Sequence, residues 1–172
     1  FESCAGLTEV VLSKNMTEIT DAMFRNCGSL RSVTIPEGIT SIGVSAFMNC
    51  TALTSVTIGN SVQSISNYAF EWCSSLSGIT IPDSVVSVGD WAFSNCGKLN
   101  DVHLSRNLTA LSRGMFYCCD RLGTVTVPAS VAAVEYAAFS GCEGLGDVYF
   151  TGDAPTFGSS VFEKVIATCH YP

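Results

Sequence analysis

The stretch F-M-N-C-T-A-L, Phe47–Leu53, returns along the chain at a constant interval. Equivalent heptapeptides begin at residues 1, 24, 47, 70, 93, 116 and 139, so the period is 23 residues throughout. Every copy has phenylalanine first, cysteine fourth and leucine seventh. A fixed period between about 20 and 50 residues is the signature of a repeat architecture.

The apolar pattern continues after the leucine of each copy. In the third copy, Leu53 is followed by Val56 and Ile58, and this alternation predicts a short strand with one buried face. The three-residue spacing of Phe47, Cys50 and Leu53 suits a short helical turn. One strand and one turn cannot bury their own apolar faces, whereas stacked copies can. The sequence therefore predicts an α/β repeat solenoid.

The repeated pattern A-F-x-x-C-x-x-L-x-x-V-x-I-P resembles the BspA-type leucine-rich repeat. The resemblance implies a curved stack with a parallel β-sheet on the inner face and short helical turns on the other side. Proteins of this kind are commonly surface or secreted proteins of bacteria and some protists, associated with adhesion to host matrix proteins or to other cells. It therefore implies an extracellular or cell-surface location, although no signal peptide is visible in this segment.

The repeats extend from Phe1 to Phe162, and we interpret residues 1–172 as a single array of about seven repeats. Phe1 lies in the middle of a repeat, so the N-terminal edge is expected to be truncated. The last copy departs from the pattern at Thr151–Pro155, so residues 146–172 are expected to form the C-terminal end of the array.

Composition excludes several classes of partner. The chain is 47% hydrophobic and 13% charged, its net charge is -7, and its eight lysines and arginines are scattered. Nucleic-acid binding usually requires a clustered basic face, so no nucleic-acid partner is predicted. No apolar run approaches the length of about 18 residues that a membrane helix needs, so no membrane insertion is predicted.

The repeated cysteines could bind metal, form disulfides or fill the core. They are Cys4, Cys27, Cys50, Cys73, Cys96, Cys119 and Cys142. A line of thiols does not converge on one point, as a structural metal site requires. Stacked strands lie about 4.8 Å apart, which is wider than the Cβ–Cβ distance of a disulfide. We therefore expect small, buried apolar residues, and predict no metal site and no cofactor.

Two cysteines lie outside that column. Cys118 falls in a mostly polar column, so it is expected to be exposed, where it would support a disulfide-linked dimer, serve as a regulatory thiol or be incidental. Cys169 is expected to be half-buried in a terminal strand.

The stretch D-V-H-L-S, Asp101–Ser105, has the residue types of a hydrolase triad. Alternation would place the aspartate, the histidine and the serine on one strand face. Neighbours on one face lie about 6.6–6.8 Å apart, too far for triad contacts. We therefore predict no catalytic residues and no enzymatic activity. Three N-x-S/T sequons, at Asn15, Asn49 and Asn107, are weak indications of glycosylation.

Two surfaces remain as candidates for binding. The outward positions of the strands would form a shallow inner-face groove for a protein or glycan ligand, extracellular matrix included, or a solvated face that binds nothing. Its anchors would be Asp101, His103, Asp147, Tyr149 and Arg31. The turn side carries a second patch of aromatic residues that either forms an interface or lies flat over the turns. It comprises Tyr68, Trp72 and Trp91, with Tyr117 and Tyr136 nearby.

Three functional hypotheses follow. The first is a non-enzymatic protein- or glycan-binding module in an adhesion protein. The alternative is a structural spacer that presents a neighbouring domain. The third is an accessory domain of an enzyme.

Overall fold

The structure is a computed structural model that describes residues 1–172. It consists of fourteen short strands joined by turns, without a helix. The strands are β1 (Glu18–Ile19), β2 (Ser32–Ile35), β3 (Ser41–Ile42), β4 (Ser55–Ile58), β5 (Ser64–Ile65), β6 (Gly78–Thr80), β7 (Ser87–Val88), β8 (Asp101–His103), β9 (Ala110–Leu111), β10 (Thr124–Val127), β11 (Ala133–Val134), β12 (Asp147–Phe150), β13 (Thr156–Phe157) and β14 (Thr168–His170).

Each 23-residue repeat forms one coil of a solenoid. The longer strands β2, β4, β6, β8, β10, β12 and β14 stack along one side, and the two-residue strands stack along another. Every pairing is parallel, and within the array each residue pairs with its equivalent one repeat later, as in Ser32 with Ser55. The predicted repeat solenoid with a parallel sheet is therefore confirmed.

The predicted helical turns are wrong. In the third coil the Cys50 amide donates to the Phe47 carbonyl at 3.1 Å, which is the bond of a β-turn. The Phe47 amide instead donates to Ala69 of the next coil at 2.8 Å, and the Asn49 amide donates to Glu71 at 2.7 Å. Because alternate amides are directed to the neighbouring coil, a continuous i to i−4 helical ladder cannot form.

The phenylalanine column forms the centre of the core. Phe24, Phe47, Phe70, Phe93, Phe116 and Phe139 are all fully buried. Neighbouring rings lie nearly parallel, with centroids from 5.1 to 5.9 Å apart. This separation fits the offset stacking that aromatic rings prefer.

The cysteine column packs into the same core, as predicted. Its members from Cys27 to Cys142 have no exposed surface, whereas Cys4 in the first coil is exposed. Each buried thiol also lies close to a phenylalanine carbonyl of the preceding coil; Cys50 Sγ is 3.1 Å from Phe24 O. Burial raises the pKa of Cys50 to about 12, so this thiol stays protonated at neutral pH and can donate to that carbonyl.

The last strand departs from the 23-residue register. Asp147 pairs with Thr168 and Tyr149 pairs with His170. The paired residues are 21 positions apart instead of 23, so β14 is shifted by two residues relative to the repeat. As a result His170 lies beside β12.

The structure also contains no helix with the length and apolar character needed to cross a membrane.

Candidate ligand-binding surfaces

The strand face comprises the outward-pointing side chains of the longer strands. In β8 the exposed Asp101 and His103 flank the buried Val102. The same alternation in β10 exposes Thr124 and Thr126. A strand of period two directs successive side chains to opposite sides, so the apolar positions that build the core also fix which polar groups face solvent.

An open cavity of about 450 Å³ lies on the strand face between β8 and the coil that follows. Asp101 and His103 line it together with Arg106, Thr124 and Thr126. Sequence reasoning identified the first two residues of this cavity and missed Arg106.

Arg106 is held in place by Asp83 of the preceding coil. Its guanidinium donates to Asp83 at 2.5 and 2.8 Å, and the side-chain hydrogen bond lowers the pKa of Asp83. A signal for this pair was present in the sequence, because opposite charges stand one repeat length apart.

The interpretation of Asp101–Ser105 needs two corrections. His103 Nε2 lies 3.2 Å from Asp101 Oδ1, because the side chains lean together although their backbone positions are separated. Ser105 lies beyond the end of β8 and is buried, and its hydroxyl donates to the Val85 carbonyl at 2.7 Å. The strand face therefore carries an aspartate–histidine pair, and the serine hydroxyl is engaged in the core.

Asp147 and Tyr149 belong to a second cluster, next to the cavity and outside its lining. His170 Nε2 lies 2.7 Å from Asp147 Oδ1, and the His170 ring stacks on Tyr149 with centroids 4.4 Å apart. Sequence reasoning missed His170, because its place depends on the shifted register of β14. Arg31 precedes β2, three coils before the cavity, and the structure does not bring it to the other predicted anchors.

The turn-side aromatic residues share an uncommon backbone conformation. Tyr68, Trp72 and Trp91 have φ angles of 59°, 60° and 59°, in the left-handed region. The Trp91 ring covers Gly114 of the next coil, where an added Cβ would lie 2.1 Å from Cε3. Trp91 also meets Tyr117 edge-on, with centroids 5.3 Å apart. Trp91 therefore lies over the turns, whereas Tyr68 and Trp72 remain 37% and 49% exposed.

The left-handed position of Trp72 provides a stability test. The equivalent positions of other coils carry Asn26, Asn49 and Asn95, and asparagine tolerates this conformation better than a bulky residue. Because the left-handed region costs an L-residue about 1–2 kcal/mol, we expect Trp72→Asn to raise the free energy of unfolding by about 1 kcal/mol. Urea denaturation measures the change. Trp72→Ala removes the same ring without the asparagine preference, and equal stability of the two variants would contradict this account.

Cys118 is half-buried rather than exposed, which corrects the expectation from its polar column. Its sulfur lies over Gly141, where an added Cβ would be 2.8 Å away. Desolvation by burial raises the pKa of this thiol. The proposed disulfide-linked dimer through Cys118 stays a prediction. Cys169 in β14 is half-buried, as predicted.

Repeated parallel strands, one per 23-residue coil, define a protein of the leucine-rich-repeat class. The family model described as BspA type leucine rich repeat region matches this chain in six copies, over residues 1–83 and 40–168. The chain belongs to the BspA-type leucine-rich repeat family. This family is a repeat scaffold of the type used for protein interaction, and its members are generally non-enzymatic.

Solved structures of bacterial proteins share the fold. A leucine-rich repeat protein of T. pallidum is 33% identical, with a TM-score of 0.81, over 86% of this chain and 69% of that protein. One from Bacteroides ovatus is 29% identical, with a TM-score of 0.89, over 96% of this chain. This chain spans only 43% of the Bacteroides ovatus protein.

A protein of Faecalibacterium prausnitzii described as a leucine rich cell surface protein is 23% identical, with a TM-score of 0.52, and shares the fold. The alignment covers 99% of this chain and 67% of that protein. No curated protein gives a significant match.

Proposed function

We propose that this chain is a non-enzymatic binding module that attaches a surface or secreted protein to a protein or glycan ligand, such as host matrix or another cell. The observation that carries the proposal is the convergence of Asp101, His103 and Arg106 around the cavity on the strand face. These are charged or titratable groups on β8 and in the turn that follows it, and they line one cavity.

The chemistry of these groups suits recognition. His103 and Asp101 keep side-chain exposures of 68% and 70%, so water reaches them freely and neither is held in a desolvated site. Exposed polar groups of this kind contribute specificity and orientation more than affinity. Tyr149 is the aromatic anchor on this face, and interface hot spots favour tyrosine, tryptophan and arginine. Each module should therefore bind weakly and depend on multivalent display for strong attachment.

A binding screen of the chain displayed in multiple copies tests the proposal. Matrix proteins, mucins and glycan arrays serve as probes, with a variant that combines Asp101→Asn, His103→Ala, Asp147→Asn and Tyr149→Ala. We expect the variant to lose binding at least about tenfold, the factor that corresponds to 1.4 kcal/mol. A Thr34→Ala and Thr57→Ala double variant alters the same face two or more coils away and should bind normally. Binding that survives the fourfold change would contradict the proposal, because Arg106 would then be the only clustered anchor left on the strand face.

The proposed location outside the cell is supported by the fold shared with the Faecalibacterium prausnitzii cell surface protein. Antibody labelling of intact, unpermeabilised cells that produce the protein tests it. Absence of labelling before permeabilisation would contradict a surface location.

The spacer hypothesis draws support from the N-terminal half of the strand face. There the outward positions of β2 and β4 are Ser32, Thr34, Ser55 and Thr57, small hydroxyl residues without a large anchor. A module that only holds a neighbouring domain at a distance needs nothing more from this face. A blank screen with every probe would favour the spacer.

A further inference from the structure

Bulky aromatic residues occupy strained backbone positions on the turn side of two consecutive coils, at Tyr68 and Trp72 in one and at Trp91 in the next. In the column of Tyr68 and Trp91, other coils carry Ala22, Ser45, Gly114 and Ala137, all with positive φ. Left-handed backbone is unfavourable for large side chains, and such outliers cluster at functional sites. Burial does not repay the strain at Tyr68 and Trp72, since both remain substantially exposed. The fold alone does not require these residue types here.

These residues continue along the solenoid as an aromatic track, which comprises Tyr68, Trp91, Tyr117 and Tyr136. The Tyr68 amide donates to Asp90 beside Trp91 at 2.9 Å, so the two residues lie in adjacent coils. Trp91 meets the Tyr117 ring directly, and Tyr117 and Tyr136 line the same surface depression. Trp72 lies beside the start of the track, in the same coil as Tyr68.

The shape of the track favours a linear polymer over a protein partner. It takes one residue from each of four successive coils, and backbone hydrogen bonds between coils beside the track, such as Tyr68 to Asp90 and Gly114 to Tyr136, keep each coil step near the strand spacing of about 4.8 Å. A stable protein–protein interface usually needs a broad patch of about 20–30 residues on each side. A pyranose unit has a length similar to one coil step, and its C–H face stacks on aromatic rings.

The charges around the track indicate an uncharged ligand. The depression beside Tyr117 carries the carboxylates of Asp120, Glu143 and Glu163 against the single amine of Lys164. The whole chain has a net charge of -7. Like charges brought together oppose binding, so sulfated or sialylated glycans are disfavoured.

We propose that the aromatic track binds a neutral polysaccharide chain, whose pyranose rings stack on Tyr68, Trp91 and Tyr136 and contact Trp72 beside Tyr68, as the chain runs along the solenoid axis. This site lies on the turn side and is separate from the strand face, so either site can operate when the other does not.

The protein contains only two tryptophans, Trp72 and Trp91, and both lie at the track. Tryptophan fluorescence therefore reports binding there without a label. The probes are cellohexaose, chitohexaose and mannohexaose, with dextran sulfate as the anionic comparison. We expect at least one neutral hexasaccharide to change the emission saturably, and dextran sulfate to give no saturable change.

The test variant combines Tyr68→Ser and Trp72→Asn, which install residues that equivalent positions carry and so preserve the backbone. We expect this variant to bind the hexasaccharide about tenfold more weakly in calorimetric titration, or 1.4 kcal/mol. The fourfold strand-face variant serves as the matched control and should bind the hexasaccharide unchanged. Failure of all neutral probes, or equal binding by the Tyr68→Ser/Trp72→Asn variant, would overturn the proposal. Loss of hexasaccharide binding only in the strand-face variant would overturn it as well and would assign the glycan to the strand face.

Discussion

Phe70→Ala should lower the free energy of unfolding by about 3–5 kcal/mol, as large core truncations do. Phe70 is fully buried, and its ring stacks between Phe47 and Phe93 with centroid separations of 5.1 and 5.3 Å. Truncation removes two stacking contacts and leaves a cavity that neighbouring coils cannot close, because their backbones are held by the ladder between coils. Urea denaturation followed by circular dichroism measures the loss.

Phe1→Ala is the matched control for this change. Phe1 stacks only on Phe24, with centroids 5.6 Å apart, and 69% of it is exposed. The same truncation should therefore cost far less there. Equal losses at Phe1 and Phe70 would show that stability does not depend on burial within the stack.

The position of Phe70 near the middle of the array gives the same experiment a second outcome. In a solenoid each coil contacts only its neighbours, so total stability is approximately a sum of coil and interface terms. Weakening one central interface should reduce the coupling between the two halves. We expect the unfolding transition of Phe70→Ala to broaden, or to separate into two steps, as well as to shift to lower urea concentration.

The repeat made the fold predictable from sequence. Every full coil has an apolar residue at the positions of Leu53, Val56 and Ile58. The alternation that indicates a strand is therefore present in each coil. The burial of Phe47 and Cys50 followed from the same columns. Residues at equivalent positions of successive coils have similar burial, so one column predicts the burial of all its members.

The turns were predicted less well, because three-residue spacing is common to a helix and to successive β-turns. The carbonyls of the next coil decide between them, since Phe47 and Asn49 donate there. Asparagine or glycine at Asn26, Asn49 and Gly141 was a usable signal for left-handed backbone, which an α-helix does not contain.

The candidate site was predicted only in part, because its contacts depend on departures from the repeat. Asp101 and His103 were identified, but their contact at 3.2 Å depends on how the side chains lean. His170 reaches Asp147 only because β14 arrives two residues early, which the period cannot predict. Side-chain direction and register at the array end therefore require the structure.

Cys73→Ser should lower the free energy of unfolding by about 1–3 kcal/mol, although it exchanges only sulfur for oxygen. Cys73 is fully buried, and its thiol lies 3.2 Å from the Phe47 carbonyl, which also accepts the Cys50 amide at 3.1 Å. A serine hydroxyl is more costly to desolvate than a thiol. Its shorter bond to Cβ also leaves the oxygen farther from that carbonyl, so the hydrogen bond regains only part of the cost.

Cys4→Ser provides the control for this exchange, because Cys4 has the same place in its repeat and is exposed. Urea denaturation should show little change for Cys4→Ser and a clear loss for Cys73→Ser. Labelling with a thiol reagent under native conditions should follow the same order, with Cys4 reacting quickly and Cys73 slowly, since burial raises the pKa of Cys73 well above its ordinary value. A neutral Cys73→Ser variant, or rapid labelling of Cys73, would mean that the cysteine column is accessible, and its assignment to the core would then be wrong.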